Sequence, residues 1–203
     1  MFFEISERAK ELSSVALKKA EAVFGRIDEL TEYNQQKVLS AFIRNRIDET
    51  DFNTTTGYGY SDKGREKLDV LTADIFGAES AIIRSGALSS GTHTLAICLY
   101  GILRPNDVML CVTGTPYDTL HSTIGLNGKN MGDGTLADFG VHYAQVDMTE
   151  NDELDYEGIE KAASDKAVRM VYIQRSRGYS LRHTVSIAEI EKVCEIVHRV
   201  NKR

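Results

Sequence analysis

The chain has 203 residues, enough for one domain with a sizeable core, or one domain plus an arm. Against 24 Lys+Arg stand 30 Asp+Glu, for a formal charge of −6; this argues against a nucleic-acid partner, which needs a basic face, and against an anionic membrane surface. No apolar run is long enough to span a bilayer, and the start Met1-Phe2-Phe3-Glu4-Ile5 lacks the basic stretch and apolar core of a signal peptide, so neither a span nor a leader is expected.

In chain order, residues 6 to about 48 read as helix, because Leu17, Ala20, Phe24, Ile27 and Leu30 recur at three-to-four spacing and form one apolar face. A break is expected over Asp28 to Thr31, with Thr31 as the N-cap of a second helix through Ile47. Asp51 to Tyr60 has no helical period and many turn formers, and predicts an extended loop; a short helix follows over Gly64 to Phe76.

From residue 79 the pattern changes to short apolar runs alternating with helical ones. Strands are expected at Ala81-Ile82-Ile83, Val108–Val112, Val141–Val146 and Val168–Ile173. Helices are expected over Thr92–Leu103, Tyr117–Ile124, Asp155–Ala163 and from Ser186 onward. The last opens with a capping box of Ser186 and Glu189, and Ile187, Ile190, Cys194 and Val197 form its apolar stripe. Fourfold strand–helix alternation predicts an α/β fold: a mostly parallel sheet with helices on both faces, preceded by N-terminal helices. The organisation expected is a helical arm over 1–50 and an α/β portion over 51–203. Cys98, Cys111 and Cys194 are odd in number, widely spaced and set in apolar runs. They predict buried thiols in a reducing cytoplasm, with neither a disulfide framework nor a zinc site.

Sheets of this kind bind ligands beyond the carboxyl ends of their strands, which singles out three segments. Ser85 to His93 joins a strand to a helix start through small residues. Unpaired N–H groups and the helix dipole suit an anion there, although a merely flexible Ser/Gly turn would read the same way. Tyr117 follows Pro116 after the second run, where its ring could cover a flat ligand or simply pack on the core. Gln174 to Tyr179 follows the fourth run; Arg175 and Arg177 could grip a carboxylate or phosphate, or be surface cations. His93 has no metal-ligand spacing to His121 or His142 and reads as a rim histidine, and no metal site is expected. There is no G-x-x-x-x-G-K-[ST], and Gly57 and Gly59 lack a third glycine, so ATP and nicotinamide readings are weak.

Four ordered motifs go beyond composition. They are Thr56-Gly57-Tyr58-Gly59-Tyr60-Ser61-Asp62-Lys63-Gly64-Arg65; Ser90-Gly91-Thr92-His93-Thr94-Leu95; Leu103-Arg104-Pro105-Asn106-Asp107 leading to Gly114-Thr115-Pro116-Tyr117-Asp118-Thr119-Leu120; and Gln174-Arg175-Ser176-Arg177-Gly178-Tyr179. Together they resemble the aluminium-resistance, or methionine gamma-lyase-like, proteins, a branch of the cystathionine lyase group of pyridoxal-phosphate enzymes with the fold type I architecture. The resemblance runs from about residue 50 to the C-terminus.

It implies that Ser90, Gly91 and Thr92 form the cup for the phosphate of pyridoxal 5'-phosphate, with Ser85-Gly86 a competing frame, and that Tyr117 stacks on the pyridine ring. Tyr58 and Tyr60 would reach the phosphate site of a neighbouring subunit, making a homodimer or tetramer with shared sites the expected unit. Gln174, Arg175, Arg177 and Tyr179 would lie on the side of a small amino-acid substrate. The implied activity is carbon–sulfur lysis of a sulfur amino acid, of cystathionine beta-lyase or methionine gamma-lyase type. The group's pyridine-binding Asp and Schiff-base Lys are expected beyond Arg203, so the chain reads as the N-terminal portion of such an enzyme, inactive alone. Two other readings stay open: another fold type I enzyme such as an aminotransferase, and a non-catalytic phosphate-binding or dimerisation module.

Overall fold

The computed structural model describes residues 3–58, 62–83, 86–128 and 132–202. The chain divides into two compact units, Met1–Ala87 and Leu88–Arg203, each built on its own helices.

In the first unit, helix α1 runs without interruption over Glu7–Arg44, with Ser6 as its N-cap. The expected break is absent. The Thr31 hydroxyl donates to the Ile27 carbonyl at 2.8 Å, the bond a threonine makes inside a helix when it does not cap one. Ala41 is the buried residue of α1, and the apolar face through Leu17, Phe24, Ile27 and Leu30 is exposed. Its C-terminal end is tied to α2 (Lys63–Phe76) by Arg44, whose guanidinium donates to both carboxylate oxygens of Asp74 at 3.1 and 2.9 Å, and by Asn45, which donates to the same group at 2.8 Å. Between the helices, a single 3-10 turn over Glu49–Phe52 carries its own capping box of Asp48 and Asp51. The Asp51 carboxylate is buried, 4% exposed, between Lys67 at 2.7 Å and Lys63 at 3.1 Å. A Cβ on Gly64 would sit 2.1 Å from the Asp51 carbonyl oxygen, so this approach of turn to helix requires glycine.

The second unit is a three-stranded parallel sheet in the order β2-β1-β3, with β1 Val108–Cys111, β2 His142–Gln145 and β3 Val168–Tyr172. Alternate side chains of β1 enter opposite cores. Met109 and Cys111 pack on one face with Leu99 and Leu103 at the end of α3 (Gly91–Ile102) and with Leu120 and Ile124 of α4 (Asp118–Ile124). Leu110 and Val112 pack on the other with Ile159 and Ala163 of α5 (Tyr156–Ala163) and Val193 and Ile196 of α6 (Ile187–Val200). Helices thus cover both faces, as the alternation predicts. The Ser186–Glu189 capping box opens α6, and the Asn201 amide at its other end donates to the carbonyls of Ala163 and Val168, binding α6 to the α5–β3 connection.

Two further expectations need correction. Ala81-Ile82-Ile83 forms no strand: the Ile83 N–H donates to the Asp69 carboxylate at 2.8 Å, a bond to a side chain of α2 and not to a ladder. Of the three free thiols only Cys111 is buried; Cys98 and Cys194 fall on exposed turns of α3 and α6, where an apolar neighbourhood in sequence did not mean an inward face. Among the described residues no helix is long and apolar enough to cross a membrane, and no cluster of His, Cys, Asp and Glu could hold a metal ion.

Candidate functional site

The chain leaves β1 at Cys111, turns through Thr113 to Pro116 and enters α4 at Tyr117, the N-cap residue. An open cleft of about 540 Å³ lies there, lined by Thr113, Thr115, Tyr117, Asp118, Met148 and Asp152 together with Gln174, Arg177 and Tyr179 to Arg182; Arg175 is not among its lining residues. Tyr117, Gln174, Arg177 and Tyr179 therefore share one cleft, which two of the three singled-out segments build.

The two segments are joined by side chains. The buried Thr113 hydroxyl accepts from the Gln174 backbone N–H at 3.1 Å, and the Gln174 amide oxygen accepts from the Tyr117 N–H at 2.8 Å. Tyr117 and Ser176 share a hydroxyl–hydroxyl bond of 2.6 Å. The Tyr117 ring is half-buried. Arg175 donates through Nε to the Val185 carbonyl at 3.0 Å, so part of its donor capacity holds the loop. Arg177 lines the cleft, and Tyr179, 101% exposed, stands on its lip.

The described end of the third segment opens α3. Helix α3 packs against β1 through Leu99 and Leu103 and leads into that strand through residues 103–107. The Tyr100 hydroxyl of α3 donates to the Thr123 carbonyl at the end of α4 at 3.4 Å. Ser90 is the extended N-cap: its hydroxyl accepts from the His93 N–H at 3.1 Å and its carbonyl accepts from Thr94. That leaves the N–H groups of Gly91 and Thr92, which precede the helical ladder, as the donors a ligand could use. A Cβ on Gly91 would meet nothing within 4 Å, so there is room beside this residue. His93 is satisfied locally, its Nδ1 at 3.1 Å from the Ser89 hydroxyl.

Tyr58 belongs to the first unit and is 83% exposed; Tyr60 and Ser85 lie outside the described residues. No described lysine lines the cleft; Lys192, for instance, lies over the Tyr156 ring at 3.6 Å. Cys111, directly behind the cleft, is no nucleophile: burial pushes its thiol up to about 12.

Sequence reasoning missed Arg182, whose guanidinium donates to the carbonyls of Gln174 and Ser176, both at 2.9 Å, and to that of His183. It also missed a polar relay beside the cleft. Tyr143 and Thr115 both donate to the Gln145 side-chain oxygen, at 2.7 and 3.2 Å, and the Gln145 amide donates to Asp147 at 2.6 Å. The alternation of Tyr143 and Gln145 on one strand face was the available signal.

The methionine gamma-lyase family model matches residues 9–203. The chain belongs to the methionine gamma-lyase family. Among its relatives, a Clostridium acetobutylicum protein named as a cystathionine beta-lyase candidate involved in aluminum resistance is 41% identical, with a TM-score of 0.89 over 98% of this chain and 47% of that one. The structure of a carbon-sulfur lyase involved in aluminum resistance from Clostridium novyi NT is 40% identical, again with a TM-score of 0.89, over 98% of this chain and 46% of the other. The uncharacterized protein YnbB of Bacillus subtilis is 39% identical over 176 residues, 87% of this chain and 41% of YnbB. The chain spans about half the length of these members of the family, and the solved ones share its α/β architecture.

Proposed function

We propose that the chain supplies the cofactor-anchoring portion of a pyridoxal-phosphate-dependent carbon–sulfur lyase acting on a sulfur amino acid. What supports it is a helix start at Gly91 with room beside it, and a half-buried Tyr117 after β1 that is hydrogen-bonded to Ser176 and lines the cleft. The names of the Clostridium relatives support carbon–sulfur lysis.

The residues suit the group. The Gly91 and Thr92 N–H groups, with the Thr92 hydroxyl, would hold a phosphate where the helix dipole favours an anion, an effect worth about 0.3–1 kcal/mol and up to about 2 in sheltered sites. The ring of Tyr117 would cover the flat face, adding about 0.5–1.5 kcal/mol beyond area burial. Arg177 would meet a substrate carboxylate at the cleft. When bound, pyridoxal phosphate supplies an electron sink for the bond-breaking chemistry. The covalent amine is proposed to come from residues outside these 203, as the family resemblance implies. A homodimer or tetramer sharing sites through Tyr58 and Tyr60 belongs to the same reading, as does a reducing cytoplasm, which suits three free thiols.

The test is a titration of the intact protein with pyridoxal 5'-phosphate, followed by assay for ammonia with pyruvate or 2-oxobutyrate from sulfur amino acids. Visible absorbance from the bound group together with these products is the expected result. Amino-group exchange without ammonia would favour an aminotransferase, and no uptake of the cofactor would favour a non-catalytic module.

A further inference from the structure

We propose that Gln174, Ser176 and Gly178 form a built seat that sets the position and plane of the Tyr117 ring, and that they are positioning residues for whatever flat group the ring covers. One short segment reaches a single tyrosine at three different atoms. The Gln174 side chain takes the backbone N–H of Tyr117, and Ser176 takes its hydroxyl. Gly178 abuts the ring edge, where a Cβ would lie 2.4 Å from Cε1, 3.2 Å from Cζ and 3.3 Å from Cδ1.

The three contacts restrain different freedoms. A phenol oxygen lies on the axis about which the ring turns, so the Ser176 bond fixes the direction of the side chain and leaves the ring free to rotate. Contact along Cδ1, Cε1 and Cζ sets the plane, which is the part Gly178 plays. It holds a backbone φ of +58°, which a side chain would strain as well as crowd. The segment can act as a seat because it is itself held. Thr113 takes the Gln174 N–H, Arg175 holds Val185, and Arg182 binds the carbonyls of Gln174 and Ser176. Stacking depends on the plane and offset of the rings, so a tyrosine that must present one face gains from being fixed beforehand.

The role assigned to Tyr117 rests on the reading above, whereas the seat itself does not, and the experiment separates them. The intact protein, with its tyrosines isotopically labelled, is compared with Ser176→Ala, Ser176→Thr, Gly178→Ala and Tyr117→Ala. Two readouts are used: the Tyr117 ring resonances without ligand, and titration with pyridoxal 5'-phosphate. Expected are shifted Tyr117 ring signals in both Ser176→Ala and Gly178→Ala, with pyridoxal phosphate bound about 2- to 10-fold more weakly in Ser176→Ala, the worth of one neutral hydrogen bond. The loss should be larger in Gly178→Ala, and Ser176→Thr should be close to wild type. Unchanged ring signals in both alanine variants overturn the seat. Altered ring signals with an affinity that even Tyr117→Ala leaves intact uphold the seat and sink the stacking role. Should Gly178→Ala not fold, Ser176→Ala against Ser176→Thr decides, because a merely structural serine would change the melting temperature without moving the Tyr117 ring.

Discussion

Helices α1 and α6 are made by the same backbone physics and held in opposite ways. Helix α1 is 38 residues long and buries Ala41; helix α6 is 14 residues long and buries Val193 and Ile196 in a core shared with β1 and α5. The first is kept by its own hydrogen-bond ladder and by polar ties at one end, Arg44 and Asn45 to Asp74. The second is kept by apolar burial, with polar groups acting as locators. Length is therefore no guide to stability here. A helix longer than a nucleus can persist on propensity, yet most helical stability in proteins comes from packing a face.

The sharpest way to break this contrast is to remove apolar atoms from each region. Leu110, 1% exposed and central in β1, should lose about 2–5 kcal/mol as Leu110→Ala, the range for a buried leucine left as a cavity. Leu17 on α1, 57% exposed, should lose less than about 0.5 kcal/mol as Leu17→Ala. Denaturant melts of the two variants check the pair. A comparable loss from Leu17→Ala would mean that the α1 face is covered in solution, as a shared-subunit assembly would require.

Between those extremes lies a cap. Ser186 accepts from the Glu189 N–H at 3.2 Å while Glu189 returns a bond to the Ser186 N–H at 2.7 Å. Ser186→Ala should cost about 1 kcal/mol in the same melts, because α6 is part of the core and its fraying is felt globally. Ser6→Ala at the start of α1 removes a bond of 3.3 Å that nothing is packed upon. Its effect should appear in amide exchange of the first turn and leave the global midpoint unmoved.

Such contrasts also mark what the sequence could disclose. The α6 capping box was legible because both partners sit within four residues and their chemistry leaves few alternatives. The alternating helix-covered sheet was legible from the positions of Met109, Leu110 and Cys111 beside turn formers. Thr31 misled because a threonine hydroxyl can cap a helix or return to the carbonyl four residues back, and only the surrounding chain decides. Residues 81–83 misled because an apolar run does not say what its N–H groups bond, and that of Ile83 goes to the Asp69 side chain. In the site, Gly91 and Tyr117 stood out through local patterns and through the family resemblance. The bond from Tyr117 to Ser176 spans 59 positions, and the role of Gly178 exists only once the Tyr117 ring lies against it; neither distance is written in composition or period.

The smallest predicted effect compares the two capping boxes under acid. The Ser186 backbone N–H, with the Ser186 hydroxyl and His183 behind it, holds the Glu189 carboxyl down at about 2 from an ordinary 4.5. The Thr50 hydroxyl first, then the Thr50 N–H and Lys63, hold Asp48 down at about 2 from 3.8. A carboxyl whose folded value is depressed contributes stability that is present above its unfolded value and lost as pH falls through the folded one. Both contributions should therefore be intact above about pH 4.5 and fade toward pH 2. Because Glu189 belongs to a helix built into the core, acid melts of Glu189→Gln should show a flatter decline than wild type across that window. Because Asp48 is half-exposed beside an isolated 3-10 turn, Asp48→Asn should leave the global melt unchanged and speed exchange only at the Thr50 amide and its neighbours. Equal flattening by both substitutions would show that the first unit is coupled to the second, and that the division between a locally held region and a core-held one does not describe this molecule.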